Sequence, residues 1–272
     1  MESNRTHNLT APKLLHNLYH QGIKETEAFI SDHIFSYMIS GEHQVWIGEK
    51  CYTFSAGDFR FFRRNQLTRS IKRSGSSGFA SIAIHIDQHT LENLAQQHGI
   101  TETKSINSEG ARLIRENSML QNFADTLIAY LKAGKLNDQM LQLKTRELVL
   151  ILAGLDPEIK NALFEFNQPG KIDLQAFMNG HYRYNVPLER FAFLTGRSLS
   201  GFKRDFQKYF QTTPARWLIR KRLSEAKYRI EQQKARATEI YLELGFANLS
   251  HFSFAYKKAF GNAPSQREIN NK

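Results

Sequence analysis

Two short segments late in the chain carry polar and basic side chains at matching positions. The segments 198–214 and 248–264 align with a constant offset of 50 residues, which pairs Phe202 with Phe252. A fixed-offset repeat of this kind indicates a duplicated supersecondary unit. Serine, lysine, arginine and glutamine side chains in such a unit can hydrogen-bond to phosphates and to base edges. The chemistry that these segments offer is therefore binding to a nucleic acid.

Each copy is predicted to consist of two helices joined by a glycine-containing turn. The first helices are predicted at Val186–Leu194 and Thr238–Leu244, and Gly196 and Gly245 follow them. A tight turn between helices needs positive φ, which glycine adopts at the least cost. Helix, turn and second helix form the helix-turn-helix motif, whose second helix enters the DNA major groove.

The second helix of each copy has one apolar face and one polar face. Aromatic residues recur every fourth position, as Phe202, Phe206 and Phe210 in the first copy and as Phe252, Tyr256 and Phe260 in the second. This periodicity predicts a buried face and not base stacking. Ser and Asn are preferred helix N-caps, so we expect the two helices to begin after Ser198 and Asn248.

The opposite faces are the candidate DNA-binding surfaces, and residues at the N-caps and first turns are included with them. The candidate DNA-binding residues are Ser198, Ser200, Lys203, Arg204 and Gln207 in the first copy, and Asn248, Leu249, Ser250, His251, Ser253, Phe254, Lys257 and Lys258 in the second.

The two faces differ at one repeat position, where the first copy has Arg204 and the second has Phe254. Arginine can bind guanine O6 and N7 with two hydrogen bonds, whereas phenylalanine offers only apolar contact, for example to a thymine methyl. We therefore expect the first copy to specify sequence more sharply. The alternatives for Arg204 are a phosphate contact and a surface salt bridge with Asp205 or Glu225.

The distribution of charge agrees with this location for the DNA-binding part. The formal net charge is +11; residues 171–272 hold 19 Lys/Arg and 8 Asp/Glu, whereas residues 1–170 hold 18 of each. The whole basic excess therefore lies with the repeat, where it favours an anionic partner. A cluster at Arg216, Arg220, Lys221 and Arg222 lies on the helix that joins the copies, where it is available to phosphates or to acidic side chains.

At this point the sequence resembles the AraC/XylS-type transcriptional regulators. The resemblance covers Leu188–Ile230 and Ala237–Arg267, and it is carried by Gly245-Phe246, Ser250-His251-Phe252, Phe260-Gly261, Pro264, Arg222-Leu223 and Ala226. It implies a seven-helix DNA-binding domain at about 169–272, recognition helices at about 198–210 and 248–260, activation of transcription, and RNA polymerase as a partner. It also favours a structural role for Arg222 in an ion pair.

The chain departs from the family pattern at a few positions. Gln211 stands where the second copy has Gly261, which predicts a different end for the first recognition helix. Phe254 stands where the family often has arginine. Arg267 and Glu268 replace an aromatic residue and an arginine, which predicts weaker packing of the last helix.

The first part of the chain, residues 1–107, is predicted to be a β-rich regulatory domain. Strands are predicted at His33–Ile39, Val45–Phe54, Phe59–Arg63 and Ala80–Ile86, because these segments are rich in β-branched and aromatic residues and are separated by turns. A two-residue hairpin turn is predicted at Gly48-Glu49, within the second segment. Short strands with frequent turns suggest an antiparallel sandwich or small barrel. Ala56-Gly57-Asp58 resembles the cupin-like sensor domain of many family members, which implies a small-molecule or protein effector.

Residues 108–168 are predicted to be a helical connector. Leu120, Phe123, Leu127 and Leu131 fall on one helical face, and a second helix is predicted at about 138–153, ended by Asp156-Pro157. The two helices either pack on their own β-domain or join a second subunit in a homodimer, which an exposed apolar stripe would indicate. The sequence thus predicts an α+β protein: a cupin-like β-sandwich or barrel, a helical connector, and an all-α domain with two helix-turn-helix motifs.

Composition excludes several other functions. The chain has one cysteine, no apolar leader in Met1–Gly22 and no apolar run long enough to cross a bilayer, which predicts a cytoplasmic protein that does not bind membranes. No catalytic motif or cofactor-binding loop is evident, so we expect no enzyme activity. The histidines of the β-region, His33, His43, His85 and His89, lack a His-x-His pair, so we expect no metal. The competing hypotheses are a cupin-fold enzyme with a nucleic-acid-binding tail, and a constitutive DNA-binding protein controlled by a protein partner.

Overall fold

The computed structural model describes residues 11–101, 109–115 and 117–264. The chain divides into two compact units, Met1–Gln168 and Pro169–Lys272. The predicted boundary between β-domain and connector at 107/108 lies outside the described residues, so the three-part division of the chain stays a prediction. Within the described part of the chain, no helix has both the length and the apolar character needed to span a membrane.

The first unit is built on two antiparallel sheets. In the described residues, one sheet has the strand order β1-β8-β3-β6-β9 and the other has the order β2-β7-β4-β5. The strands are β1 (Lys13–Tyr19), β2 (Ile23–Ile30), β3 (His33–Ser40), β4 (Glu42–Ile47), β5 (Lys50–Ser55), β6 (Phe59–Phe62), β7 (Gln66–Arg73), β8 (Phe79–Ile86) and β9 (Ala111–Ile114).

Alternation along the strands of the five-stranded sheet gives it two buried faces. On β6, Phe62 packs with Val45 and Phe54 of the four-stranded sheet, whereas Phe59 and Phe61 pack into a different core that includes helices. The first unit therefore has three layers: the four-stranded sheet, the five-stranded sheet, and a layer of helices.

The helical layer consists of α1 (Gln88–His98), α2 (Ser118–Lys132), α3 (Asp138–Leu155) and α4 (Pro157–Leu163). Leu120, Phe123 and Leu127 of α2 and Leu148 and Leu152 of α3 belong to the same core as Phe59. The connector helices thus pack on their own β-domain, which was the first of the two alternatives. Exposed leucines also remain on α3, at Leu143 and Leu150.

The predicted fold class is confirmed, and the predicted strands and the hairpin turn at Gly48-Glu49 are present. The sequence reading missed β1, β2, β7, β9, α1 and α4. Strands β2 and β7 alternate charged or polar residues with few β-branched ones, so their pattern carries little strand signal. Pro157 was predicted only to end α3, but it also occupies the first turn of α4. A proline is tolerated there because the N–H group that it lacks would have no partner within the helix.

The second unit is helical. Its described residues form α5 (Leu174–His181), α6 (Leu188–Leu194), α7 (Leu199–Phe210), α8 (Pro214–Gln232), α9 (Ala237–Ile240) and α10 (Leu249–Phe260). The helix predicted at Thr238–Leu244 is shorter than expected, because α9 ends at Ile240 and turns lead to Gly245. The seventh helix of the resemblance, with Arg267 and Glu268, lies outside the described residues.

Each helix-turn-helix copy has an aromatic core. Phe202 and Phe206 are fully buried on α7, and Phe206 meets Trp217 of α8 with ring centroids 5.7 Å apart. Phe252 and Tyr256 occupy the equivalent places on α10 and pack with Leu244. The prediction of a buried aromatic face is confirmed for these four residues. Phe210 and Phe260 are half-buried, and their rings contact Trp217 and Tyr256.

Candidate nucleic-acid interface

The turns of both motifs depend on glycine. Gly196 and Gly245 have φ of 65° and 80°. A side chain at Gly245 would collide with the carbonyl oxygen of Arg183, and one at Gly196 would collide with the backbone of Gly170. Positive φ and close backbone approach therefore both require glycine, as the sequence predicted.

The beginnings of the recognition helices are fixed by the predicted caps. Ser198 Oγ accepts a hydrogen bond from the Gly201 amide at 3.2 Å, and Asn248 Oδ1 accepts one from the His251 amide at 2.8 Å. Both side chains also remain exposed. Their capping role is thus observed, and their role at DNA stays a prediction.

The ends of the recognition helices are alike, which corrects the expectation drawn from Gln211. Gln211 has φ of 54° and Gly261 has φ of 84°, so both residues end their helices in the left-handed region. The Gln211 side chain donates to the Lys208 carbonyl at 2.9 Å, which offsets part of the cost of this conformation for a residue with a Cβ.

The polar face of α7 points to solvent. Ser200, Lys203, Arg204 and Gln207 are all exposed, and the side chain of Arg204 is 81% exposed. Its Nε lies 3.7 Å from Asp205, but Arg197 donates to that carboxylate at 3.0 Å. The hydrogen bond from Arg197 is the main cause that lowers the pKa of Asp205. The contact with Asp205 is therefore weak, and most of the Arg204 guanidinium is open to an external partner.

The second salt-bridge alternative for Arg204 involved Glu225 of α8. The Glu225 carboxylate accepts hydrogen bonds from Arg229 at 3.0 Å and from Arg183 at 3.3 Å. Arg229 also donates to Glu243 at 2.8 Å, beside the second motif. Glu225 thus belongs to an ion-pair group that connects α8 with the segment before α6 and with the second motif, which sequence reasoning did not anticipate.

The polar face of α10 is less uniform than that of α7. Ser250, His251, Lys257 and Lys258 are exposed, whereas Leu249 and Ser253 are half-buried. Leu249 packs against the core of the second motif. Phe254 is 70% exposed, which is unusual for an aromatic residue on a helix that already has an aromatic core.

The connecting helix α8 carries a buried arginine that joins the segment between α5 and α6 to the turn of the second motif. Arg222 donates to the carbonyl oxygens of Tyr182 at 2.8 Å, Tyr184 at 2.9 Å and Gly245 at 2.7 Å. Its role is therefore structural, as the resemblance implied, although it acts through these carbonyl groups. Arg216 and Arg220 on the same helix are exposed and available to phosphates.

The four histidines of the β-region do not converge. His33 and His43 are buried, His85 is half-buried and His89 is exposed. In the described part of the chain, no group of three or more His, Cys, Asp or Glu side chains is placed to hold a metal ion.

The fold and these two exposed faces define a DNA-binding transcriptional regulator of the helix-turn-helix class. Residues 33–162 match the model of the ExsA N-terminal regulatory domain, and residues 191–267 match that of a helix-turn-helix domain. The chain belongs to the AraC/XylS-type transcriptional regulators, with an ExsA-type regulatory domain before the DNA-binding domain.

Two transcriptional regulators to which this chain is similar, VirF and ExsA, agree with this assignment. The virulence regulon transcriptional activator VirF of Yersinia enterocolitica is 28% identical over 238 residues, which cover 85% of this chain and 87% of VirF. The HTH-type transcriptional regulator ExsA of Pseudomonas aeruginosa is 28% identical over 126 residues, covering 46% of this chain and 45% of ExsA. Among solved structures, an apo ToxT variant from Vibrio cholerae has a TM-score of 0.46 and 13% identity, covering 95% of this chain and 97% of ToxT.

Proposed function

We propose that this protein is a cytoplasmic transcriptional activator that reads double-stranded DNA with α7 and α10. The observation that carries the proposal is the pair of capped helices, each with a buried aromatic face and an exposed polar face. The basic excess of the second unit supports the same surface. The activator role rests on VirF, which is described as an activator, and RNA polymerase is the partner that such a role requires.

The length of α8 supports simultaneous binding by both motifs. Its 19 residues span roughly 28 Å at 1.5 Å per residue. Successive major-groove segments on one face of DNA lie about 34 Å apart, which is a similar distance. Arg222 attaches the turn of the second motif to α8, which restrains the position of α10 relative to that helix.

The first unit is proposed to regulate this binding in response to an effector and to join two copies of the chain. Leu143 and Leu150 of α3 are 60% and 47% exposed and lie seven residues apart, which places them on one helical face. A second copy of α3 would cover these two leucines, and Arg146 and Glu147, which lie between them, could pair with their counterparts.

The two competing hypotheses fit these observations less well. The relatives are transcriptional regulators, which disfavours an enzyme. A constitutive DNA-binding protein would need no regulatory domain, whereas residues 33–162 match the model of the ExsA N-terminal regulatory domain.

The experiment that tests the proposal is binding-site selection on full-length protein and on three variants at one salt concentration. Arg204→Ala should cost about 1–3 kcal/mol on the selected site and relax preference at one or two base pairs, because a bidentate base contact is lost. Phe254→Ala should cost less and alter only preference for A·T pairs. Lys258→Ala is the control for a phosphate contact and should weaken all sequences about equally.

The outcomes separate the proposed roles. If Arg204→Ala weakens selected and random DNA by the same factor, then Arg204 binds phosphate and the two motifs do not differ in the proposed way. If wild-type protein shows no salt-dependent binding to any duplex, DNA binding itself is refuted.

A further inference from the structure

Arg197, in the turn between α6 and α7, is held in place by three acceptors. Its side chain is 8% exposed. Nε donates to the Asp205 carboxylate at 3.0 Å. Nη1 donates to the carbonyl oxygens of Thr195 at 2.6 Å and of Ile172 at 3.1 Å. A buried guanidinium with several hydrogen bonds has little freedom, so the carboxylate that it binds is also fixed relative to the first motif.

Asp205 follows Arg204 directly on α7, and its carboxylate lies between two arginines. Oδ2 accepts the hydrogen bond from Arg197, whereas Oδ1 lies 3.7 Å from Arg204 Nε. The hydrogen bond from Arg197, and then the charges of Arg197, Arg204 and Lys171, lower the pKa of the Asp205 carboxyl, which is therefore ionised at neutral pH. Asp205 thus places a fixed negative charge beside the Nε end of the Arg204 guanidinium.

This position leaves the base-binding groups of Arg204 free. The ion pair with Asp205 is made at Nε, and the side chain of Arg204 is 81% exposed. The two Nη groups lie on the other side of the central guanidinium carbon, and an arginine can bind guanine O6 and N7 through them. A carboxylate at Nε therefore orients the guanidinium without occupying the groups that read a base.

The second motif shows that a helix-turn-helix unit of this chain does not need the ion pair for its fold. Ala247 stands at the repeat position of Arg197. Ala255 stands at the repeat position of Asp205. Helix α10 nevertheless begins with a side-chain N-cap and buries its aromatic face, as α7 does. The repeat position of Arg204 holds a phenylalanine, so the ion pair occurs in the copy that has the arginine and not in the copy that lacks it.

The contact between Asp205 and Arg204 is weak in the free protein, because water screens an ion pair at so exposed a position. DNA bound to α7 would exclude water from it, and electrostatic attraction grows as the local dielectric constant falls. The carboxylate would then favour one orientation of the Arg204 side chain over the other orientations that an exposed arginine can adopt.

We propose that Arg197 is a positioning residue for base recognition: it holds the Asp205 carboxylate beside Arg204 Nε, and this carboxylate keeps the two Nη groups of Arg204 directed at one guanine. The inference rests on the proposed function, in which Arg204 contacts a base edge. It goes further, because it assigns the orientation of that arginine to a residue whose own side chain is buried.

The test measures the affinity of full-length protein for the duplex obtained by binding-site selection and for a random duplex, at one salt concentration. The readout is the ratio of the two affinities, because removing an acidic side chain strengthens binding to any DNA. Asp205→Asn keeps an oxygen that accepts from Arg197 but loses the charge. It should lower the ratio about fivefold, which is part of the discrimination that a bidentate arginine gives. Arg197→Ala should lower the ratio to a similar extent, because Asp205 is then free to move.

Both substitutions are repeated in an Arg204→Ala background. If the ion pair acts through Arg204, neither substitution lowers the ratio there by more than about twofold. A loss as large as that without Arg204→Ala would show that the pair serves only the fold of the first motif, and the proposal would be overturned. Glu189→Gln, which removes an exposed acidic charge from α6, is the matched control and should leave the ratio unchanged.

A variant that combines Arg197→Ala with Asp205→Ala covers the case in which Arg197→Ala alone does not fold. It reproduces the two alanines of the second copy, so it is expected to fold and to show the same loss in the ratio. If the combined variant is unfolded, or folds and keeps the wild-type ratio, the positioning role is wrong.

The outcomes also separate this inference from the proposed function. If Arg204→Ala lowers the ratio while Asp205→Asn and Arg197→Ala leave it unchanged, only the positioning role is refuted. If wild-type protein prefers no duplex, or if Arg204→Ala weakens both duplexes equally, base reading by Arg204 is itself refuted.

Discussion

Replacing Arg222 by methionine should destabilise the second unit and loosen the second DNA-binding motif from a site that is 8% exposed. The guanidinium donates three hydrogen bonds, two to the carbonyls of Tyr182 and Tyr184 after α5 and one to the carbonyl of Gly245 in the second turn. Methionine fills much of the same volume but donates none of them. The variant therefore removes the attachment and keeps most of the packing.

The size of the effect follows from these contacts. A hydrogen bond to a charged group contributes about 1.5–3 kcal/mol, and three that act as a unit add up to less than their sum. Each buried carbonyl group left without a donor costs about 1–3 kcal/mol. We expect the free energy of unfolding of the second unit to fall by about 4 kcal/mol, which is a large part of the roughly 5–15 kcal/mol that stabilises a domain.

Urea unfolding followed by tryptophan fluorescence can isolate this unit. The protein has two tryptophans, Trp46 in β4 and Trp217 in α8. In a Trp46→Phe background the signal comes from Trp217, which packs against Phe206. With a slope of about 2 kcal/mol per molar urea, the midpoint should fall by about 2 M. Affinity for a two-site duplex should fall more than affinity for a single site, because the turn of the second motif is no longer attached to α8.

The control is Arg220→Met, an exposed arginine on the same helix. It should change stability by about 0.5 kcal/mol or less, as surface substitutions usually do. If Arg222→Met lowers the free energy of unfolding by less than about 1 kcal/mol, or by no more than Arg220→Met does, then the three hydrogen bonds of Arg222 do not stabilise the second unit and the prediction is wrong.

The remaining predictions concern the first unit. Burial, followed by the charges of Arg60 and Lys72, lowers the pKa of His43 to about 2, so this histidine stays neutral in the folded protein while the unfolded chain binds a proton below about pH 6.5. The stabilisation that neutral His43 gives the folded state is present above pH 6.5 and falls by about 1.4 kcal/mol at pH 5.5. Urea unfolding of a His43→Gln variant should show a shallower loss of stability between about pH 7.5 and 5.5 than the wild type, and an equal loss would contradict this prediction. In sedimentation experiments, Leu143→Glu with Leu150→Glu should give a monomer, whereas Gln142→Glu on another face of α3 should not; a wild-type monomer at high concentration would contradict the proposed dimer.

The second unit was predictable because its local signals agree. The repeat of Phe202 at Phe252 fixes the buried faces, and Gly196 and Gly245 fix the turns, so pattern and backbone chemistry lead to the same motif. The end of α7 was not predictable, because Gln211 adopts a backbone conformation in which glycine would be expected.

The first unit was less predictable because its decisive contacts join distant strands. Arg60 lies in the segment Phe59–Phe62, whose apolar residues indicate a buried strand and conceal a buried cation. Its hydrogen-bond partners His43 and Ser36 come from other strands, and one of these strands belongs to the opposite sheet. No spacing along the chain reveals that arrangement, because it depends on which strands pair and how the sheets stack.

The short strand β6 has a consequence for how a signal could leave the first unit. Arg60 lies on β6, and three residues later Arg63 pairs with Glu165, while Arg64 donates to the Glu165 carbonyl at 2.6 Å. Glu165 lies three residues before the unit ends at Gln168. A molecule that favours one position of β6 would therefore shift the equilibrium of the contacts that Arg63 and Arg64 make with Glu165 by the same free energy. By thermodynamic reciprocity, a change in these contacts would alter the affinity for the molecule. The strand that responds to the molecule and the residues that contact Glu165 would then lie less than one strand length apart. Substitutions elsewhere in the sandwich could change which molecule binds without altering the contacts with Glu165.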